Sequence, residues 1–266
     1  MSLPLFLKNI KDNFLFLLIF MFLMNVYLAV LIYMYDPSGM GAFNDIVSFL
    51  PNRLVVFLDL ATIDSSMTGF LGGLFYGLPI YVFPMIYCIV MGNRLVTKYI
   101  YDGSFACFLE TPNSRIKIIT TQAVYLILSI GLLFLSIQIV GGQMSEMMYP
   151  GVLDAVLFTQ MNVGAAFMTT AIAMINFFFG CIFNDSKLTM FFSTAFPVLF
   201  FMLTFLSGLS DRFAALKNFS IYSVYNGAAI GIGQADVSSV IAFFSAAIVL
   251  SLAASLGVFF MKRLPI

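Results

Sequence analysis

The chain has 266 residues, of which 62% are hydrophobic and only 9% are charged, and its formal net charge is zero. A soluble domain has about 25% charged residues, so this composition could not cover a water-exposed surface. The zero net charge argues against a broadly basic nucleic-acid-binding protein. The sequence contains no histidine, which removes the commonest general base and the usual zinc ligand.

Six apolar segments are long enough to cross a bilayer as α-helices, because a crossing needs about 20 residues. In chain order they are residues 14–35, 70–91, 118–140, 155–183, 188–207 and 240–261. None of the six contains Asp, Glu, Lys or Arg. Unbroken apolar runs differ from the alternating strands of about ten residues that build an outer-membrane barrel. We therefore predict an all-α polytopic membrane protein, with residues 1–266 forming a single transmembrane domain.

The basic residues of the connections predict the orientation, because positively charged loops stay in the cytoplasm. With the N-terminus inside, nine of the 12 Lys and Arg residues are cytoplasmic, whereas eight of the 12 Asp and Glu residues are outside. The cytoplasmic basic residues are Lys8, Lys11, Arg94, Lys98, Arg115, Lys117, Lys187, Lys262 and Arg263. We therefore expect both ends of the chain to lie inside the cell.

The connections between the predicted spans differ in length and character. On the outer side, residues 36–69 form a long loop, and residues 208–239 form a semi-apolar stretch rich in small residues. On the inner side only residues 92–117 make a sizeable segment, and residues 184–187 make a tight turn. We expect no separate soluble domain.

The spans carry no group that could drive transport or catalysis. The sequence has no G-x-x-x-x-G-K-[ST] phosphate loop, so we expect this chain to hydrolyse no ATP and to hold no cofactor of its own. Ion-coupled carriers usually place a charged side chain in mid-membrane, and intramembrane enzymes need a base, a metal or a carboxylate pair. We therefore expect a passive unit, not an enzyme by itself, that is driven from outside the chain.

The inner segment is the place where a partner could act. Residues 104–110 can make two helical turns, with Phe105, Phe108 and Leu109 on one face. Gly103 permits a sharp turn before this short helix, and Pro112 ends it. Its apolar knob would suit a cleft on a soluble partner. The alternative is an amphipathic linker that rests on the lipid headgroups.

The same segment carries a recognisable pattern. It reads Asp102-Gly-Ser, then Leu109-Glu-Thr-Pro-Asn-Ser-Arg115, and it lies between the second and third of six predicted spans. In this pattern the chain resembles the permease subunits of type-2 ABC exporters, in the branch with a long first loop. That family typically has an Asp-Gly-(Ser/Thr) start and a Pro-x-Ser-Arg end, and Thr111 stands where a serine often precedes the proline. The layout is similar over nearly the whole chain, including an amphipathic stretch at residues 3–12 and the motif at residues 220–226.

The resemblance implies a dimer, either of two copies or with a sister permease, in the plasma membrane of a bacterium. Each permease would dock on a separate cytoplasmic ATP-binding subunit, which holds the ATP and magnesium and moves the docking helix. The coupling residues implied are Asp102, Gly103, Ser104, Phe105, Phe108, Leu109, Glu110, Pro112 and Arg115. Arg115 would lie at the cytoplasmic lip of the third span, and residues 208–239 would form short re-entrant helices that close the outer exit.

Small and polar residues within the spans could line a pathway or pack helices together. Polar side chains are costly when they face lipid, so we expect them to point inward and to bond neighbouring helices, with path lining as the alternative. We expect Gly73-x-x-x-Gly77 to pack helices closely, and Pro79 and Pro84 to kink the second span. A small face at Ala247, Ser251 and Ser255 is expected to pack in the sixth span. The pathway or packing candidates are Asn25, Gly73, Gly77, Pro79, Gln122, Asn162 and Asn176, and Gln138 belongs to the same polar set.

Three functions are consistent with these patterns. The leading hypothesis is a permease subunit that forms the pathway for a hydrophobic or amphipathic cargo, such as a peptide, a lipid or a drug. The alternative is a membrane immunity or scaffold protein that binds a toxin or a partner without moving anything. An intramembrane enzyme is the third, and it lacks a catalytic constellation in the spans.

Overall fold

A computed structural model describes residues 2–36, 65–101, 114–209 and 211–261 of the chain. The regular structure in these ranges is helical, with no strand among the described residues. Six helices in this part of the chain are long and apolar enough to cross a membrane: Leu3–Met34, Leu78–Thr97, Arg115–Met148, Ala155–Ile182, Ser186–Ser207 and Val237–Met261. The prediction of an all-α polytopic membrane protein is confirmed.

We number the α-helices in chain order. They are α1 (Leu3–Met34), α2 (Met67–Leu74), α3 (Leu78–Gly92), α4 (Arg115–Met148), α5 (Ala155–Ile182), α6 (Ser186–Leu209), α7 (Gly227–Gly231) and α8 (Val237–Met261). A π-helix, Asn93–Thr97, and a last turn, Lys98–Tyr101, continue α3. Two 3-10 helices, Asp211–Phe219 and Ile221–Val224, precede α7.

The first and third predicted spans lie within longer helices. The first helix begins at Leu3 instead of residue 14, so the predicted amphipathic stretch forms the first turns of α1. The reason is that Asn9 and Asn13 are buried, and Asn9 Nδ2 donates a hydrogen bond to Gln122 Oε1 of α4. The third helix runs on past residue 140 to Met148. Polar residues that face the bundle therefore do not end these helices.

The second predicted span, residues 70–91, is divided between two helices. A turn at residues 75–77 separates α2 from α3, and the helix long enough to span starts at Leu78. A Cβ atom on Gly77 would collide with the carbonyl oxygen of Gly73, so this turn requires glycine at position 77. The close helix packing expected of Gly73 and Gly77 stays a prediction. Pro79 lies in the first turn of α3, where its missing N–H costs nothing. The kink predicted near Pro79 is confirmed, since the break lies directly before it. Pro84 lies inside α3.

Helix α5 is the centre of the bundle. It packs along α8, α3 and α4, and it also contacts α6, α7 and α2. Small residues such as Gly164, Ala165, Ala171 and Gly180 allow these neighbours to approach closely. Helix α1 packs mainly along α4, and α6 lies at the edge, against α5, α3 and the 3-10 helix Asp211–Phe219.

Hydrogen bonds between helix ends define two ends of the bundle. The backbone N–H of Ser2 donates to Thr121 Oγ1 at 2.9 Å, and Tyr149 Oη donates to the carbonyl of Tyr35 at the opposite ends of α1 and α4. The first and third spanning helices, α1 and α4, therefore run parallel, as expected if successive spans alternate in direction. We call the end that carries the described basic residues Lys8, Lys11, Arg94, Lys98, Arg115, Lys117 and Lys187 the inner end. The outer end carries Asp36, Glu146, Asp154 and Asp236.

Candidate functional site

The predicted docking segment falls outside the residues that the structure describes. This applies to Asp102, Gly103, Ser104, Phe105, Phe108, Leu109, Glu110 and Pro112. After the segment, Ser114 caps α4, and its Oγ accepts a hydrogen bond from the backbone N–H of Lys117 at 3.3 Å. Arg115 is the first residue of α4 and borders a cavity together with Phe260 near the end of α8. Arg115 therefore lies at the inner end, and its coupling role stays a prediction.

A π-helix, Asn93–Thr97, lies four residues before that segment. Asn93 Nδ2 donates to Ser186 Oγ at 3.0 Å, and Ser186 Oγ donates to Asn93 Oδ1 at 3.1 Å. Thr97 Oγ1 donates to the carbonyl of Gly180 at 3.2 Å and lies 3.1 Å from Thr189 Oγ1. Single-turn π-helices frequently occur at functional sites. These bonds join the inner end of α3 to the hairpin of α5 and α6.

Gly92 and Gly180 bring the backbones of α3 and α5 into contact near the π-helix. A Cβ atom on Gly180 would lie 2.8 Å from the carbonyl oxygen of Gly92. A Cβ atom on Gly92 would lie 3.0 Å from Asn176 Cβ. Both distances are shorter than normal contacts, so larger residues would push the inner halves of α3 and α5 apart.

Two cations lie over aromatic rings where α1 meets the inner end of α3. Arg94 Cζ is 4.6 Å from the centroid of the Phe16 ring, and Lys8 Nζ is 5.4 Å from the centroid of the Tyr99 ring. Both lie within the range of a cation–π interaction. Burial raises the pKa of Tyr99, and the Asp12 carboxylate raises it further. These contacts hold α1 against the segment that leads to residues 102–113.

The polar candidates on α1 and α4 bond the two helices together. Asn25 Nδ2 donates to Ser136 Oγ at 2.9 Å and to the carbonyl of Met21 at 2.7 Å. Gln122 is buried and accepts the hydrogen bond from Asn9 described above. The expected interhelical bonding is confirmed for Asn25 and Gln122.

Asn162 is the centre of a buried polar network near the outer end. Its Oδ1 accepts from Tyr76 Oη at 3.2 Å, and its Nδ2 donates to Gln138 Oε1 at 3.0 Å and to the carbonyl of Phe134 at 2.9 Å. Gln138 Nε2 in turn donates to Thr159 Oγ1 at 3.0 Å. The interhelical role expected for Asn162 and Gln138 is confirmed, and the path-lining alternative stays a prediction.

Asn176 differs from the other polar candidates. It is 0% exposed and faces inward as predicted, but neither Oδ1 nor Nδ2 has a hydrogen-bond partner. The expected interhelical hydrogen bond is therefore wrong for this residue. Thr169 Oγ1 on α5 and Ser193 Oγ on α6 are also buried without a partner. Such atoms are destabilising in a dry interior, because their hydration is lost without replacement.

Two short helices cross at the outer end. A Cβ atom on Gly72 of α2 would lie 2.8 Å from the carbonyl oxygen of Gly227, and one on Gly231 of α7 would lie 2.7 Å from the carbonyl oxygen of Thr68. We call residues 65–77 and 220–234 together the outer cap. The prediction of short helices within 208–239 is confirmed, and their re-entrant depth and closing role stay predictions.

The predicted small face of the sixth span packs as expected. Ser255 is buried, its Oγ donates to the carbonyl of Ser251 at 2.7 Å, and Ala247 is partly buried against the core. Helix α8 packs along α5.

Within the described ranges, no three His, Cys, Asp or Glu side chains are placed to hold a metal ion. Cys88 and Cys181 are both buried. Cys88 Sγ donates to the carbonyl of Thr169 at 3.6 Å, which joins α3 to α5 in mid-span.

The sequence interpretation missed the residues that hold the two ends together. At the inner end these are Asn93, Thr97 and Ser186, and at the outer end they are Tyr76 and Tyr225. The sequence gives only a weak sign of the role of Tyr76, which is its position next to Gly77. Hydroxyls near span ends are common, so nothing marks Thr97 in the sequence alone.

Comparison of the sequence with protein-family models and with curated proteins finds no match in either case. The resemblance to exporter permeases therefore depends on the motif at residues 102–115 and on the layout of the chain.

Proposed function

We propose that the chain is the transmembrane permease subunit of an ATP-driven ABC exporter in the plasma membrane of a bacterium. It pairs with a second permease, identical or related, and each permease docks on a separate cytoplasmic ATP-binding subunit. That subunit supplies ATP hydrolysis, and this chain supplies the pathway through the lipid.

The position of the motif at residues 102–115 carries the proposal. The motif starts directly after the last turn of α3, and the π-helix Asn93–Thr97 before it is hydrogen-bonded to Ser186, Gly180 and Thr189. A movement imposed on the motif therefore has a bonded connection to the α5–α6 hairpin. This connection supports a coupling role better than a passive linker role.

The character of the spans supports an apolar cargo. The six predicted spans contain no charged side chain, so a bare ion or a charged sugar would meet no counter-charge at membrane depth. Buried amide and hydroxyl groups such as Asn176 and Thr169 offer hydrogen bonds without charge. A hydrophobic or amphipathic peptide, lipid or drug fits these properties.

The first test is whether an ATP-binding protein is encoded beside this gene, and the second uses that protein in purified form. The purified chain should hydrolyse no ATP alone, and the reconstituted pair should do so faster than the ATP-binding subunit alone. Phe105→Asp and Phe108→Asp should each reduce copurification of the two proteins at least about tenfold, because a charge would replace a central apolar anchor.

Phe219→Asp is the matched control, because Phe219 is 71% exposed at the outer end and should leave copurification unchanged. Unchanged binding by both docking variants would overturn the coupling assignment. If the cellular function persists when the partner ATPase has an inactivated nucleotide site, the chain is the immunity or scaffold protein instead.

A further inference from the structure

Two buried polar side chains face each other's helices in the α5–α6 hairpin without hydrogen bonds. Asn176 on α5 and Ser193 on α6 are both 0% exposed, and no polar atom of either side chain has a partner. Buried polar groups are nearly always bonded to protein or to water. This amide and this hydroxyl therefore mark a place with unused capacity for hydrogen bonds.

The two side chains lie at the same level of the hairpin. Thr97 Oγ1 donates to the carbonyl of Gly180 on α5 and lies 3.1 Å from Thr189 Oγ1 on α6. Asn176 and Ser193 are each four residues outward from this joint, which is about one helical turn, or about 6 Å. Residues four apart share one face of a helix. Both side chains therefore lie on the faces that meet at the joint.

A proline adds a further acceptor at this level. Pro197 lies inside α6, four residues after Ser193. Because proline has no N–H, the carbonyl of Ser193 lacks its usual donor in the helix. The Asn176 amide, the Ser193 hydroxyl and this carbonyl together offer donors and acceptors without charge. Such a set suits a hydroxyl or an amide, whereas a buried carboxylate or ammonium group would need an opposite charge.

Phenylalanine rings lie on the lipid side of the same hairpin. The ring centroid of Phe179 on α5 is 5.7 Å from that of Phe196 and 6.1 Å from that of Phe192, both on α6. Phe192 is 39% exposed, and the other two rings are partly exposed. Helix α6 lies at the edge of the bundle, so the rings separate the polar pair from the lipid. An apolar molecule could pack against them while its polar group reaches Asn176.

Helix α6 is fixed at two points with a proline between them. At the inner end Asn93 Nδ2 donates to Ser186 Oγ at 3.0 Å, and further outward Ser220 Oγ donates to the carbonyl of Phe200 at 2.7 Å. A helix bends most easily at proline, and Pro197 lies between these points. Aromatic rings can part without leaving a polar group unpaired. The middle of α6 can therefore move away from α5 while both fixed points stay bonded.

We propose that Asn176, the Ser193 hydroxyl and the Ser193 carbonyl bind the neutral polar group of a lipid-like molecule, a hydroxyl or an amide. The apolar body of this molecule enters from the bilayer between α5 and α6. The inference deepens the proposed function and rests on it for the role in export, because it names a binding site and a class of cargo. A peptide fits less well, because its many backbone amides would lie unpaired among the phenylalanine rings.

The test is photolabelling of the purified chain in nanodiscs, without any ATP-binding subunit. The probe is dodecanol that carries a diazirine in mid-chain, and the reference probe is the same molecule without the hydroxyl. Labelled peptides are quantified by mass spectrometry. We expect the alcohol to label the peptides that contain Phe179, Phe192 and Phe196.

Two substitutions remove the bonding groups. Asn176→Leu should reduce labelling by the alcohol about tenfold and Ser193→Ala about fivefold, because each removes hydrogen-bond partners of the hydroxyl. Labelling by the reference probe should stay unchanged in both. Since neither side chain has a partner in the protein, neither change should lower the free energy of unfolding, which separates a binding role from a structural one.

Ser255→Ala is the matched control. Ser255 is also 0% exposed, but its hydroxyl donates to the carbonyl of Ser251 on its own helix at 2.7 Å. Its replacement should leave labelling by the alcohol unchanged. If Asn176→Leu fails to reach the membrane, Ser193→Ala carries the test.

Competition tests the class of ligand. Unlabelled dodecanamide should compete with the alcohol probe, whereas dodecyltrimethylammonium and an uncharged apolar peptide should compete at least about tenfold less well. The inference is overturned if neither substitution reduces labelling by the alcohol, if the reference probe loses labelling equally, or if Ser255→Ala has the same effect. Stronger competition by the cation or the peptide than by dodecanamide would also overturn it.

The labelling experiment needs no partner, so its failure is distinct from that of the exporter proposal. Labelling that is independent of Asn176 and Ser193, with an intact ATPase partnership, overturns the binding site alone. Labelling that depends on both residues in a chain without any ATPase partnership supports the binding site while the exporter proposal fails.

Discussion

The inner and outer ends of the bundle are joined in different ways. At the inner end, side-chain amides and hydroxyls connect the helices, as in the paired bonds of Asn93 with Ser186 and the contact of Thr97 with Thr189. The inner end has one close glycine contact besides, of Gly180 with the Gly92 carbonyl, whereas at the outer end Gly72, Gly227 and Gly231 all meet backbone where two short helices cross. Side-chain bonds between helices can exchange partners, whereas glycine contacts leave no room for adjustment.

This difference separates an end that is held mainly by side-chain bonds from a stiffer end that is held mainly by glycine contacts. An interhelical hydrogen bond in a membrane contributes about 0.6 kcal/mol on average, so the inner joints can break one at a time. Overpacking a tight contact costs about 1–3 kcal/mol, so the outer cap keeps its shape or moves whole. The following substitutions test this contrast, and the free energy of unfolding in detergent or nanodiscs is the measurement throughout.

Gly227→Ala should have the largest effect. The new Cβ atom would lie 2.5 Å from Tyr76 Cβ and 2.8 Å from the Tyr76 carbonyl oxygen, and we expect a loss of about 3 kcal/mol. Gly142→Ala is the control, because a Cβ atom there meets nothing within 4 Å. That control should be neutral or stabilising by up to about 1 kcal/mol, as alanine is the better helix former. Equal losses of stability for Gly227→Ala and Gly142→Ala would contradict the conclusion that the outer end is the stiffer one.

Asn162→Leu should have the next largest effect, a loss of about 2 kcal/mol, because one buried and one partly buried polar atom lose their bonds to Asn162. Those partners are the Tyr76 hydroxyl and Gln138 Oε1. Combining it with Tyr76→Phe should cost less than the sum of the two single changes, since the shared bond is lost only once. Strict additivity of the two would show that this bond does not contribute to stability.

Thr97→Val should cost about 1 kcal/mol, because it removes the hydroxyl but keeps the shape of the side chain. Thr97→Ser keeps the hydroxyl, so its loss of stability should be less than half of the loss caused by Thr97→Val. Thr97→Val should add to Tyr76→Phe without coupling, because the two residues are about 30 Å apart along the chain of helices. Strong coupling between them would mean that the two ends do not move independently.

Asn176→Leu should have the smallest effect and the opposite sign. Neither the oxygen nor the nitrogen of the Asn176 amide has a hydrogen-bond partner. Removing the amide should therefore leave the free energy of unfolding unchanged or raise it by up to about 1 kcal/mol. A clear loss of stability would mean that the amide is bonded in solution, for example to a trapped water. Asn162→Leu, at the outer level of the same helix, serves as the bonded counterpart.

The number of spans followed from the sequence because apolar runs of this length have few alternatives. The ends of α1 and α4 could not be predicted from the sequence. Asn9 and Gln122 form a hydrogen bond with each other, and this bond allows polar turns to be part of the bundle. The position of the helix break at residues 75–77 did not follow either, because the spacing of Gly73 and Gly77 serves both close packing and a break. The inward direction of Asn162 followed from the cost of facing lipid, but its partner Tyr76 depends on helix rotation, which a single sequence does not determine.

The lengths of α1 and α4 have a consequence for the surrounding lipid. With 32 and 34 residues, they measure about 48 and 51 Å, against a hydrocarbon core of about 30 Å. The surplus turns must lie among the headgroups, and at the inner end those turns carry Lys8, Lys11 and Lys117. Anionic phospholipid headgroups attract such side chains. The lipid composition of the leaflet at the inner end should therefore influence how firmly the helices are joined there.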